Sequence, residues 1–262
     1  MEEIKGLLID LDGTLFHGGV MIPGSDRLIE GLRRAEIPFL FVTNNSSRTP
    51  EGVAAHLRSM GIAADPGEVC TSSLAAARYI AEELPGARVA ILGEEGLRQA
   101  CAAAGLVLVD EAPQYVVQGI DRTFNYESLA RASRWIREGA KFVLTNPDLM
   151  LPSDDGVMPG AGTLGAAIEA ASGVSPVVIG KPQTPLITYA ASVLGITPGE
   201  AIVVGDNMRT DISAGMNAGC RTILVLTGLT TKENYEHYRT VTGAVPDEIY
   251  TDLAELMTML GV

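Results

Sequence analysis

Basic residues are scarce in this 262-residue chain: 19 Lys and Arg stand against 32 Asp and Glu, for a formal net charge of −13. So acidic a surface is a poor match for a phosphate backbone, which argues against nucleic-acid binding; an anionic ligand would need local positive groups or a metal to overcome the overall field. Cysteine is rare too. Cys70, Cys101 and Cys220 lie far apart and make no CxxC pair, so neither a disulfide framework nor a zinc site is indicated and a reducing compartment fits. The three histidines, His17, His56 and His237, form no HxxxH or His/Asp pair in the sequence, which leaves a serine-hydrolase or zinc mechanism without a base or ligands. Long hydrophobic runs are missing, since none approaches the roughly 20 residues that a membrane helix requires. The opening segment MEEIKGLLID is acidic and runs straight into a strand-like stretch, unlike a signal or transit peptide, so the expected location is the cytoplasm.

Apolar residues, at 47%, are abundant enough to exclude disorder. Short runs of Ile, Leu, Val and Phe alternate with segments of helical spacing, the pattern of a parallel sheet covered on both faces. Strands are expected at 4–9, 39–42, 177–179, 201–204 and 222–226, and helices at 25–35, 50–60, 185–194, 209–217 and 252–260. Together they make an open, Rossmann-like α/β core. A second alternating block, with strands at 89–92, 115–117 and 142–144 and helices at 95–104, 126–138 and 161–171, is far too long for a loop and reads as an inserted domain. The expected division is therefore a core of 1–80 and 177–262 around an insert of 81–176. Trp135 falls in an apolar stripe with Leu129 and Ile136 and reads as packing. Gly160, Gly162 and Gly165 lack both a leading strand and a following Lys-Ser/Thr, so they read as a turn and close helix packing and not as a nucleotide loop.

Four of the buried runs end in polar residues. LLID leads to Asp10 and Asp12, FLFV to Thr43, Asn44 and Asn45, VVIG to Lys181, and AIVVG to Asp206 and Asn207. Ligands of open α/β sheets bind beyond the carboxyl ends of the strands, so these groups can converge on one crevice. Each alone suits an ordinary turn or cap; four in series are hard to obtain from turn chemistry alone.

Several aspartates near one point repel, and a hard divalent cation is the natural counter-charge. Mg2+ suits Asp10 and Asp206 with a backbone carbonyl from the turn at Asp10 to Asp12. Asp10 can then attack phosphorus to give an aspartyl phosphate, while Asp12 protonates the departing alkoxide and later takes a proton from the hydrolytic water. Thr43, with the backbone N–H groups of Asn44 and Asn45, can hold phosphoryl oxygens, and Lys181 adds a compact positive charge. Asp211 reads equally well as an acid in a helix first turn or as a group that orients metal-bound water or Lys181; it and Asn207 are supporting residues.

The segments DLDGT from Asp10, VTNN, GKP around Lys181 and GDNMRTD from Gly205 to Asp211 resemble the four ordered motifs of the haloacid dehalogenase superfamily. The acid at position 12 resembles its phosphatase branch. VVQGIDRTFNYESL and TNPDLMLPSDDGVMPGAGTL are similar to segments of the class IIA, NagD-like group, which includes 4-nitrophenylphosphatases and phosphoglycolate phosphatases, and the similarity runs on to VLTGLTT and the final helix. The resemblance implies a C2-type cap in the insert and a magnesium-dependent phosphomonoesterase with Asp10 as nucleophile and Asp12 as acid/base. It also implies metal ligation by Asp10, the Asp12 main chain and Asp206, and association of copies through the cap. Asn146 and Asp148 are candidate cap contacts to substrate, though an Asn-Pro-Asp turn accounts for them better. A phosphotransferase or phosphomutase using the same intermediate stays open as an alternative. A phospho-aspartate signalling module is disfavoured, because a switch gains nothing from a leaving-group acid or a lid.

Overall fold

Four consecutive buried residues without a polar interruption, Gly6–Ile9, form the first strand of a computed structural model that describes residues 4–153 and 156–262. After this β1 come a short hairpin, β2 (Phe16–His17) and β3 (Val20–Met21), then α1 (Ser25–Arg34), β4 (Phe39–Thr43), α2 (Pro50–Ser59), β5 (Val69–Thr71) and α3 (Ser72–Glu83). The middle of the chain supplies β6 (Arg88–Leu92), α4 (Glu95–Ala103), β7 (Val107–Leu108), β8 (Tyr115–Gln118), α5 (Tyr126–Arg137) and β9 (Lys141–Leu144). The hairpin β10 (Met150–Ser153) and β11 (Gly156–Pro159), α6 (Ala161–Ser172) and β12 (Val177–Val178) complete that block. The return contains α7 (Pro185–Val193), β13 (Ala201–Gly205), one π-helical turn (Met208–Ile212) and α8 (Ser213–Ala218). It ends with β14 (Arg221–Val225), α9 (Tyr235–Thr242), β15 (Glu248–Tyr250) and α10 (Leu253–Leu260).

Two compact units result. The first holds the residues up to Thr43, Glu51–Cys70 and Lys181–Val262. Its six-stranded sheet has the order β15-β14-β13-β1-β4-β5. β1 pairs in parallel with β13 on one side and β4 on the other, with Ile9 opposite both Val204 and Phe41. The chain thus leaves β1 toward one side and returns on the other, and such a reversal of strand order opens a crevice beyond the carboxyl ends. Helices fill the faces through apolar stripes: α1 buries Leu28, Ile29 and Leu32, with Asp26 in its first turn and Arg33 and Arg34 in its last, charges that complement the helix dipole. These residues join Leu7, Ile9, Phe41, Val204 and Leu256 in one core.

The second unit comprises Asn44–Pro50 and Thr71–Gly180. Its main sheet has five parallel strands in the order β12-β9-β8-β6-β7, beside the antiparallel pair β10 and β11. Trp135 packs with Val116, Ile136, Phe142 and Ile168 in the core of this unit, a packing role as expected. α5 starts at Asn125, whose side chain accepts from the N–H groups of Glu127 and Ser128. Gly162 donates its N–H to the Asp148 carbonyl at 2.9 Å, and a Cβ on it would lie 2.2 Å from the Pro147 oxygen, so the glycines here serve close packing.

The boundaries differ from the sequence expectation in three places. The strand expected at 177–179 in the core pairs instead with β9, Val177 opposite Val143, because a three-residue apolar run does not encode which sheet it joins. α3, which starts within the segment expected in the core, packs against α4 and belongs to the second unit. Asn44–Pro50 goes with the second unit as well. The helix expected over 209–217 opens with the π-helical turn, in which the Asp211 and Ile212 N–H groups both reach the Asn207 carbonyl. Among the described residues no helix is long and apolar enough to cross a membrane.

Candidate active site

The register of the first sheet decides which side chains meet. Asp10 follows β1 directly, its N–H donating to the Val204 carbonyl at 2.9 Å, and Asp206 follows β13 on the neighbouring strand. The Lys181 ammonium lies 2.5 Å from Asp10 Oδ1 and 2.7 Å from Asp211 Oδ1. It also donates to the Val42 carbonyl at 3.2 Å, which ties it to the end of β4. Thr14 Oγ1 stands between the carboxylates of Asp10 and Asp206, 3.4 Å from Asp10 Oδ2 and 3.3 Å from Asp206 Oδ1. The remaining Asp206 oxygen accepts from the Leu229 N–H at 2.6 Å.

Asp206 has no slack. Gly13 has φ of +90°, and a Cβ there would lie 2.4 Å from Asp206 Oδ2. A Cβ on Gly228 would lie 2.1 Å from the same oxygen, so glycine is required on both sides of it.

Charge is concentrated here and poorly hydrated. Lys181, Asp206 and Asp211 are 3%, 3% and 1% exposed. Burial, then Asp211, pushes the Asp206 carboxyl up to about 7. Asp10 is held well above the usual carboxylate range, first by burial and then by Asp211, against the opposing pull of Lys181. Burial alone would lower Lys181, but Asp10 and Asp211 outweigh it and keep the ammonium charged. Ligand atoms of Asp10, Asp206 and Asp211 all lie within 4.8 Å of one another, so the group could hold a metal ion. Its donor set is all oxygen and one ammonium does not neutralise it, which fits a hard divalent cation.

The sequence-expected residues are therefore gathered selectively. Asp10, Lys181, Asp206 and Asp211 meet. Asp211 is not merely an acid in a helix first turn, because its other oxygen accepts from the Asn207 N–H at 3.1 Å while the first pairs with Lys181. Asn207 caps the π-helical turn by accepting from the Arg209 N–H at 2.9 Å. The Asp12 carboxylate lies outside the buried cluster, is 54% exposed, and has His17 Nδ1 at 3.6 Å. A His/Asp pair therefore exists where spacing in the sequence showed none: the β2–β3 hairpin, too short to register as alternation, brings His17 back. Thr43 ends β4, and Asn44 and Asn45 are the next residues but belong to the second unit. There Asn44 Nδ2 donates to Asp148 at 3.0 Å, and Asn45 Oδ1 accepts from the Ser47 and Arg48 N–H groups at 3.0 Å each. Asn146 and Asp148 form the expected turn, the Asp148 N–H donating to Asn146 Oδ1 at 3.2 Å.

Thr14 and the loop after β14 escaped the sequence reading. Thr227 Oγ1 donates to the Gly13 carbonyl at 2.8 Å, and Leu229 supplies the N–H to Asp206. The rule that exposed the other groups, polar residues at the exit of an apolar run, also marks Thr227 after β14.

The chain matches the haloacid dehalogenase-like hydrolase family over residues 7–107, and the HAD-hydrolase-like family over 178–256. It is 43% identical over 261 residues to an acid sugar phosphatase of Staphylococcus saprophyticus, covering 99% of each chain. A 5'-nucleotidase, YutF, of Bacillus subtilis is 45% identical over 234 residues, 89% of this chain and 91% of the relative. In three dimensions it is similar to the p-nitrophenyl phosphatase from Archaeoglobus fulgidus, with a TM-score of 0.93, 35% identity, and coverage of 98% of this chain and 99% of that one. With the matches spanning both ends of the sequence and the buried acids standing at the strand exits its motifs specify, the chain belongs to the haloacid dehalogenase-like hydrolase family, in its NagD-like phosphatase group.

Proposed function

We propose that the chain is a magnesium-dependent phosphatase that hydrolyses small organic phosphate monoesters through phosphorylated Asp10. The observation that carries the reading is the contact of Lys181 with both Asp10 and Asp211 inside a cluster of buried acids that lacks enough positive charge. Asp10 and Asp206, with the main chain of Asp12, would hold Mg2+; the ion supplies counter-charge that keeps Asp10 ionised and offsets charge on the phosphoryl oxygens.

An Asp10 carboxylate oxygen forms a bond to phosphorus as the ester P–O bond breaks, and Asp12 gives its proton to the departing alkoxide. Asp12 then takes a proton from the water that attacks the phosphorus; the acyl phosphate bond breaks, inorganic phosphate leaves, and Asp10 is regenerated. The half-exposed position of Asp12 suits a group that must exchange protons with a leaving group and with water. Lys181, Thr43 and the N–H groups of Asn44 and Asn45 hold the spread negative charge. The second unit acts as a cap, which excludes water and selects the leaving group. The unpaired state of Cys70, Cys101 and Cys220 supports a cytoplasmic setting.

Asp10→Asn should cut magnesium-dependent phosphate release from 4-nitrophenyl phosphate by at least about 10³-fold while the circular-dichroism spectrum persists. Retained turnover in that variant would overturn the assignment. Sugar phosphates and nucleoside monophosphates, the classes to which the relatives' names point, are the natural panel for specificity.

A further inference from the structure

The loop that follows β14 reaches back to the exits of both strands that lead into the buried acids, and it does so within the first unit. Its backbone holds Asp206 at two points: the Leu229 N–H donates to Asp206 Oδ2 at 2.6 Å, and the Thr230 N–H donates to the Asp206 carbonyl at 3.1 Å. Thr230, 0% exposed, also accepts from the Met208 N–H through Oγ1 at 3.3 Å. The hydroxyl of Thr227 turns to the other exit. It donates to the Gly13 carbonyl at 2.8 Å, across 214 positions of sequence.

Gly13 is thereby held at both of its backbone groups, since its N–H donates to the Phe16 carbonyl at 2.7 Å. A Cβ on Gly228 would lie 2.7 Å from the Gly13 Cα and 2.1 Å from Asp206 Oδ2, so the two loops meet backbone to backbone with that carboxylate beside them. Such closeness brings like charges together. Asp10, Asp206 and Asp211 repel one another when ionised, and a turn after β1 that was free to move would relax away from Asp206.

We propose that Thr227 is a positioning residue for the divalent cation: it latches the turn bearing Asp12 and Gly13 to the loop that holds Asp206. The inference rests on the proposed function, which assigns the cation to Asp10, Asp206 and the main chain of Asp12. Thr227 acts through Gly13, and being neutral it holds the turn without adding to the repulsion. Its work is preorganisation: ligands already at their spacing need not be gathered against one another when the ion arrives.

The test titrates Mg2+ alone into the full-length protein by isothermal titration calorimetry, with no substrate present. Thr227→Val keeps the shape of the side chain but removes the donor, and it should raise the Mg2+ dissociation constant by about fivefold, the equivalent of one ordinary hydrogen bond. Thr227→Ser restores the hydroxyl and should stay within about twofold of the parent. Thr222→Val supplies the contrast. Thr222 Oγ1 donates to Asp247 Oδ2 at 2.9 Å near the opposite end of β14, so this variant also loses a hydrogen bond. A general loosening would affect both valine variants alike, whereas a latch at the cation leaves the constant of Thr222→Val within about twofold. Thr227→Ala takes the place of Thr227→Val if that variant does not fold. An unchanged constant in Thr227→Val or its replacement, an equal shift in Thr222→Val, or no recovery in Thr227→Ser overturns the inference. A parent chain that takes up no Mg2+ would instead sink the proposed function, and this inference with it.

Discussion

Both units of this protein are built on parallel sheets, yet their carboxyl edges differ in kind. In the first, β1 leads into Asp10 and β13 into Asp206 and Asp211, ionisable groups that are buried together with Lys181. In the second, β8 and β9 lead into neutral ones, the buried Gln118, Thr145 and Asn146, while its ion pairs, such as Lys141 with Glu83, lie out in solvent. The same backbone architecture thus carries ionisable groups at one edge and buried neutral side chains at the other. Fold alone does not make a phosphatase; what does is the uncompensated charge placed at one sheet edge.

If that contrast is right, the units should respond unequally to the loss of a single lysine. Lys181→Met strands Asp10 and Asp211 without their cation, and breaking a buried pair in this way costs about 3–5 kcal/mol. Phosphate release should fall by roughly 10³-fold, and chemical denaturation should show the loss of stability. A variant that kept most of its activity would erase the distinction between the two edges.

Next in size is the response to magnesium. The folded-state carboxyl of Asp206 is pushed up to about 7, so between the ordinary carboxylate range and that value the folded chain keeps a proton that the unfolded chain has lost. Metal-free stability should therefore fall as pH rises through that window. A divalent cation would favour the ionised form, so Mg2+ should raise the melting temperature more at pH 8 than at pH 5, by roughly 5 °C at about 100 times its dissociation constant. Melting curves recorded in EDTA and in magnesium that shift in parallel across this range would count against a metal at these acids.

The smallest effect belongs to the second unit's surface. Lys141→Ala removes the partner of Glu83, but both are solvent-facing and such pairs contribute little. Its kcat should match the parent, with a melting temperature within about 2 °C. A drop as large as that of Lys181→Met would show that exposed and buried pairs in this protein carry equal weight.

Much of this was legible in the sequence because the core strands are uninterrupted apolar runs that stop at a charge. Asp10 after Gly6–Ile9 and Asp206 after Ala201–Gly205 are examples. Lys181 was found for an incomplete reason: the run before it belongs to the other sheet, and the lysine enters the site as the first residue of the returning segment. β5 and α3 were missed because a three-residue strand runs into an alanine-rich helix with little periodic contrast. α9 buries none of its residues and so offers no apolar stripe to read. The pairing of His17 with Asp12, and Thr14 with two carboxylates, depends on where a short hairpin and a tight turn fold back, which residue type alone does not encode.

The glycines pressed against Asp206 make that position a gauge of length as well as of sign. With Gly13 and Gly228 leaving no room for even a methyl group, the backbone fixes how far the carboxylate reaches, and a side chain one methylene longer would have nowhere to put the excess. Aspartate is chosen there by the walls around it as much as by its negative charge.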